Sequence, residues 1–179
     1  MRRLCGWICS ASERNLVIAV IQIKNGDLMK SDAQMICHQV NCQGVMGSGV
    51  ARQIRSKWPL VYKEYRIACE TNEAERLETK DLLGYCQFVG VKNDAGNLAV
   101  VANMFAQDRY GGGQKHTDDA AFAECLRRIA NAARATGIRT IAMPYMIGCC
   151  RGGGDWNTIY NLIETALRDF DVTLFKYEE

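Results

Sequence analysis

The chain has 179 residues, is 48% hydrophobic and 23% charged, and balances 22 basic against 20 acidic side chains for a formal charge of +2. Those proportions belong to a folded globular chain and exclude a coiled coil, a collagen-like fibre and a disordered polyelectrolyte. No apolar run approaches the ~20 residues of a membrane-spanning helix, and the even charge balance does not favour a protein that holds nucleic acid mainly by its phosphates.

From Met1 to Asn15 neither helical nor strand periodicity is present, so a loose tail is expected there, followed by one domain over residues 16–179. The apolar stretch within Met1–Cys9 is too short for a secretory leader. Cysteine occurs nine times, an odd number, and Cys37, Cys86 and Cys125 fall inside apolar runs where a thiol packs as a small hydrophobe. A reduced, cytoplasmic protein is expected. No CxxC pair exists and the histidines are His38 and His116, so no metal site and no cofactor are expected.

Leu16–Ile23 is a β-branched run that reads as a buried strand, stopped by Lys24-Asn25-Gly26-Asp27. Met35–Val40 is a second strand, feeding the glycine-rich stretch Gly44 to Gly49. A helix is expected from about Val50 to Trp58, with Pro59 breaking it or opening the next helix, on which Val61, Tyr65, Ala68 and Cys69 keep helical spacing. Leu83–Val91 and Leu98–Met104 flank the turn Asn93 to Asn97 and read as a hairpin. Thr117, followed by Asp118 and Asp119, is the expected N-cap of a helix that buries Phe122, Leu126, Ile129, Ala130 and Ala133 and stops at Gly137. Thr140–Met143 is a short strand ending at Pro144. Gly148 and Gly152 to Gly154 form a second glycine stretch. A last helix carries Trp156, Ile159, Tyr160, Ile163 and Leu167, and Val172–Tyr177 closes as a strand. This order predicts a mixed sheet covered by helices on both faces.

The device strand, glycine turn, helix N-terminus thus occurs twice. Free amides at a helix start, approached closely across glycines, suit phosphate, and two such loops on one sheet edge could grip a diphosphate. The spacing from Gly47 lacks the third glycine of a dinucleotide fingerprint, and no Gly-Lys-Ser/Thr ending exists, so hydride transfer and P-loop hydrolysis are excluded.

Three segments together, Gly26-Asp27-Leu28, His38 through Ala51, and Ile147-Gly148-Cys149 through Trp156, resemble the macrodomain family over nearly the whole span from Leu16 to Tyr177. Within it the chain looks similar to the branch of ADP-ribose-1''-phosphate phosphatases and terminal ADP-ribose protein glycohydrolases. The resemblance implies a three-layer α/β/α fold with ADP-ribose in a cleft at the sheet's carboxyl edge. It implies that Asp27 accepts a hydrogen bond from the adenine amino group beside Leu28, and that Tyr177 lies against adenine or packs in the core. By the same resemblance the first diphosphate loop is Gly44, Val45, Met46, Gly47, Ser48, Gly49 and Val50. The second is Ile147, Gly148, Cys149, Cys150, Arg151, Gly152 and Gly153. Asn41 and His38 fall near the distal ribose.

Departures from that family pattern bear on mechanism. Where the glycohydrolase branch places a nucleophilic lysine, this chain has Gln107, whose delocalised amide cannot attack. Cys150-Arg151 replaces the usual glycine-leucine pair and adds a cation. Asp155 reads either as a helix cap or as a catalytic carboxylate. The expected function is hydrolysis of an ADP-ribose derivative by activated water, with Asp155 or His38 as base and Asn41 beside them. The alternative is a non-catalytic reader of ADP-ribose. The expected partner is ADP-ribose or an ADP-ribosylated macromolecule, with neither a membrane nor a specific nucleic-acid sequence; Arg127-Arg128, Arg134 and Arg139 read as a solvated helix face.

Overall fold

The computed structural model describes residues 21–111 and 113–177. The expected tail and most of the expected strand Leu16–Ile23 lie outside them. What is described of that strand is β1, Gln22–Asn25, which runs two residues further than its apolar pattern because it pairs along β6 to Lys176.

The remaining strands are β2 (Met35–Asn41), β3 (Cys86–Lys92), β4 (Leu98–Gln107), β5 (Thr140–Pro144) and β6 (Asp171–Lys176). They form one sheet in the order β1-β6-β5-β2-β4-β3, parallel except for the β3/β4 hairpin. Helices α1 (Gly49–Lys57) and α2 (Pro59–Ala74) cover one face, α3 (Asp119–Thr136) and α4 (Trp156–Ala166) the other. Side-chain alternation along β2 shows the division: Met35 and Cys37 pack with Phe122, Leu126 and Ile163, while Ile36 packs with Ile54 and Val61. The predicted three-layer α/β/α architecture with a mixed sheet is the one observed. Among the described residues no helix is long and apolar enough to cross a membrane.

Local signals set most boundaries. Pro59 occupies the first turn of α2, where its missing N–H costs nothing. Gly137 ends α3 in the left-handed conformation at φ 72°. The cap of α3 is a correction. Asp118, not Thr117, sits at the N-cap and accepts from the Ala121 N–H at 2.8 Å. Thr117 instead forms a bridge with Gln107 and turns its hydroxyl to Gly148. The last strand ends at Lys176, leaving Tyr177 beyond it and 63% exposed, so Tyr177 is not core.

From β2 the chain continues to β3, beyond β4 on one side; from β5 it passes to β6 on the other. The strand order therefore reverses between β2 and β5, and the crevice outside their carboxyl ends is where an open α/β sheet receives a ligand.

Candidate functional site

Both glycine loops leave the sheet at that reversal and enclose a cleft of about 510 Å³. Of the residues expected to bind, Val45, Gly47, Ser48, Gly49, Val50, Ile147, Gly148, Cys150, Arg151 and Gly152 line it, with His38 and Asn41. Tyr110, Gly111, Tyr145 and Met146 also line it without having been expected. Their signal was positional, because each follows the carboxyl end of β4 or β5.

The first loop is tied down by side chains. Asn41, the last residue of β2, donates from Nδ2 to the Val45 carbonyl at 2.6 Å. Its Oδ1 accepts from the Gln43 N–H at 2.9 Å and the Val45 N–H at 3.3 Å. The buried Tyr65 hydroxyl of α2 lies 2.8 Å from that oxygen and 2.9 Å from the Asn41 carbonyl, donating to this pair of acceptors. Asn41 is thus the clamp of the loop, its polar atoms all engaged in the fold. Gly44 turns at φ 74° with the Arg66 guanidinium against it, where a Cβ would stand 2.7 Å from Nη1. Gly44 and Met46 do not line the cleft; Met46 is buried among Val40, Tyr65 and Phe105 and anchors the loop from below. Ser48 precedes α1 without a capping hydrogen bond from its side chain, so its hydroxyl and the first amides of α1 are presented to the cleft.

The second loop is held by shape and backbone. Thr117 Oγ donates to the Gly148 carbonyl at 2.6 Å, and the His116 and Thr117 N–H groups donate to the Gly152 carbonyl at 2.7 and 2.9 Å. Gln39 Nε2 donates to Thr117 Oγ at 2.8 Å and to Gln107 Oε1 at 2.7 Å. A Cβ on Gly152 would collide with Thr117 Oγ and stand 2.5 Å from the Gly148 carbonyl oxygen, so only glycine fits. Cys149 is buried behind the loop, and burial raises its thiol to about 11, which keeps it protonated. Gly153 faces the segment 114–115 rather than the cleft. Exposed Arg151 stands over the start of α1, its Nε 3.9 Å from the position of a Cβ on Gly49, and makes no ion pair among the described residues.

His38 lies on the cleft floor, 1% exposed, with Nε2 2.6 Å from Asn103 Oδ1 and Nδ1 buried without a protein partner. Burial lowers its pKa to about 4, against the raising effect of the bond to Asn103. The ring is neutral at physiological pH.

Asp155 stands elsewhere. It caps α4, accepting at Oδ1 from the Thr158 N–H and hydroxyl, each at 2.8 Å, is exposed, and does not line the cleft. The Thr158 N–H above all holds its carboxyl below the usual range. Of its two expected roles the structure displays the cap. Gln107 lines the cleft, its amide spent on Gln39 and on the Arg109 carbonyl at 3.0 Å. Lys115 lies outside the cleft, paired with Asp119 at 2.5 Å.

Asp27, Leu28 and Tyr177 share the same sheet edge but lie outside the cleft lining. β1 and β6 end together, Asn25 opposite Lys176, which brings Asp27 and Tyr177 to neighbouring strand ends. Half-buried Asp27 caps the short 3-10 helix Leu28–Lys30, accepting from Met29 N–H at 2.9 Å through Oδ1. Leu28 is buried in the core. Among the described residues no group of three or more His, Cys, Asp or Glu side chains converges as a metal cluster would require.

Comparison with known proteins adds to this geometry. A family profile described as Macro domain matches residues 37–163. A protein named DNA ADP-ribosyl glycohydrolase from Mycobacterium tuberculosis is 26% identical over 160 residues, covering 87% of this chain and 42% of its own length. One named ADP-ribose 1''-phosphate phosphatase from Meyerozyma guilliermondii is 31% identical over 103 residues, covering 52% of this chain and 57% of the relative. The chain therefore spans about half the length of these curated relatives. Among solved structures, Thermosipho africanus DarTG in complex with ADP-ribose shares the fold at a TM-score of 0.67 and 21% identity, over 87% of this chain and 41% of that one.

Proposed function

The chain belongs to the Macro domain family, and on that premise we propose that it binds ADP-ribose between its two glycine loops and hydrolyses an ADP-ribose derivative. The substrate is an ADP-ribosyl linkage on a macromolecule or the phosphoester of ADP-ribose 1''-phosphate, the two chemistries named in its curated relatives. The observation that carries the reading is the convergence of both loops on one cleft, with uncapped α1 amides on one side and Arg151 on the other. That arrangement offers donors to each phosphate of a diphosphate. Asp27, whose Oδ2 is not used by the cap, and Tyr177 extend the row of strand ends on the side where adenine would lie.

In this reading turnover proceeds by water. Gln107 has no free lone pair on nitrogen, and Lys115 is held by Asp119 outside the cleft. Among the described residues, His38 is the sole imidazole or carboxylate side chain in the cleft lining, so the hydrogen bond that orients the attacking water falls to it rather than to Asp155. The loop amides stabilise the charge that develops on the leaving side. A second reading, a reader that binds without turnover, is favoured by the same Gln107 and by the low basicity of His38.

Incubation with a panel of ADP-ribose esters, N-glycosides and the 1''-phosphate, with products identified by mass, separates the two. The hydrolase reading expects one linkage class to turn over, a His38→Gln variant to lose ~10²–10⁴ in rate, and borohydride to trap no adduct. Binding without any product makes the protein a reader. A trapped adduct on Lys115 would contradict water attack.

A further inference from the structure

Three side chains stand abreast on one face of the sheet. His38 of β2 is in register with Asn103 of β4, and Asn103 with Gln87 of β3. They are joined by hydrogen bonds whose directions can be worked out from one end. The Glu64 main-chain carbonyl of α2 can only accept, so the Gln87 group 2.8 Å from it is the Nε2 donor. Gln87 Oε1 therefore faces Asn103, 2.9 Å away, and must accept from Asn103 Nδ2. That leaves Asn103 Oδ1 facing His38 Nε2 at 2.6 Å, and an oxygen there requires a proton on that nitrogen. A neutral imidazole with Nε2 protonated has a bare lone pair on Nδ1. In this structure Nδ1 is buried with no protein partner, on a residue that lines the cleft. A buried acceptor calls for a partner; Nδ1 is closed to solvent here, so the cleft that His38 lines supplies one only through a group that displaces the side chains covering the ring.

We infer that Gln87 and Asn103 are positioning residues for His38, fixing its Nε2–H tautomer so that Nδ1 is offered as an acceptor to an O–H group in the cleft. That group is a sugar hydroxyl of the bound ligand or the attacking water. The inference deepens the ADP-ribose reading and rests on it for the identity of the O–H donor; the tautomer itself does not depend on it. Neither Gln87 nor Asn103 lines the cleft, so both act only through the ring.

The test begins with two-bond nitrogen–proton NMR of the imidazoles in ligand-free protein. His38 is expected to show a protonated Nε2 and an unprotonated Nδ1; the reverse pattern overturns the inference whatever the protein binds. Gln87→Leu then frees the Asn103 amide to turn, and a growing Nδ1–H population is expected. Gln87→Glu keeps an acceptor for Asn103 and, as the protonated acid, a donor for the Glu64 carbonyl; at a pH where it is protonated it is expected to retain the wild-type tautomer, so a general loss of packing is told apart from loss of direction. If Nδ1 meets a sugar hydroxyl, ADP-ribose shifts its resonance and Gln87→Leu weakens the Kd by about three- to tenfold, the scale of one hydrogen bond. If it meets the water, the Kd holds and kcat falls instead. A Gln87→Leu protein with an unchanged tautomer, or with a changed tautomer but Kd and kcat both at wild-type values, overturns the assignment. Failure of ADP-ribose to bind at all sinks the functional reading while leaving the tautomer result standing.

Discussion

The two loops that enclose the cleft do the same job by different means. The first is fastened by polar side chains, with Asn41 and Tyr65 satisfying the amides and carbonyls that a tight turn leaves open. The second has few such fastenings and is packed to contact, with Gly148 and Gly152 against Thr117 and Gln39. A loop held by hydrogen bonds fails when a group is removed. A loop held by close packing fails when an atom is added. The contrast also explains which expected residues face the ligand space: a clamp spends its polar atoms inward, whereas glycines leave backbone amides available.

The largest effect expected from this contrast is at Asn41. Asn41→Ala strands the Val45 carbonyl and two loop amides in a buried setting, leaving the Tyr65 hydroxyl only the residue 41 carbonyl, and should cost about 3 kcal/mol in denaturant unfolding together with most ADP-ribose affinity. A fully stable variant would mean that water or backbone rearrangement replaces the clamp. Next is Gly152→Ala, one methyl group against Thr117 and the Gly148 carbonyl. About 1–3 kcal/mol of overpacking is expected, read as a lowered Tm and a weakened Kd. Pairing it with Thr117→Ser, which removes only a methyl, should not relieve the clash, because the obstructing atom is the hydroxyl oxygen.

A smaller effect is expected at Asp155. Asp155→Ala removes the cap of α4, worth about 1 kcal/mol, and should leave ADP-ribose affinity and any turnover within a few fold. Loss of turnover with intact folding would return Asp155 to the chemistry and undo the division between cleft and cap. Of similar size is Tyr65→Phe, which removes one donor while Asn41 Oδ1 keeps its two amides, at a cost of about 0.5–1.5 kcal/mol.

The features readable in the sequence are those that local chemistry decides. Strand, glycine turn and helix start are each specified within a few residues, as are Pro59 at the head of α2 and Gly137 at the end of α3. Asp155 before Trp156 carried a cap signal of the same local kind. What was not readable depends on residues far apart in the chain. Asn41 meets Tyr65 from 24 residues away, and Gln39 meets Thr117 from 78. Thr117 looked like a cap because Thr-Asp-Asp satisfies the local rule at either of two positions; tertiary contact with Gly148 decided between them. The row His38, Asn103, Gln87 likewise follows from strand register, which no single segment encodes.

Two loops gripping one diphosphate should distinguish ADP-ribose from AMP, and calorimetry on the wild-type chain with each ligand reads that distinction. Saturable one-to-one binding of ADP-ribose is expected, with thermal stabilisation of roughly 2.7 kcal/mol at a hundredfold excess over Kd, and markedly weaker binding of AMP. No heat and no thermal shift at millimolar ADP-ribose, or equal affinity for AMP, would contradict the two-loop grip.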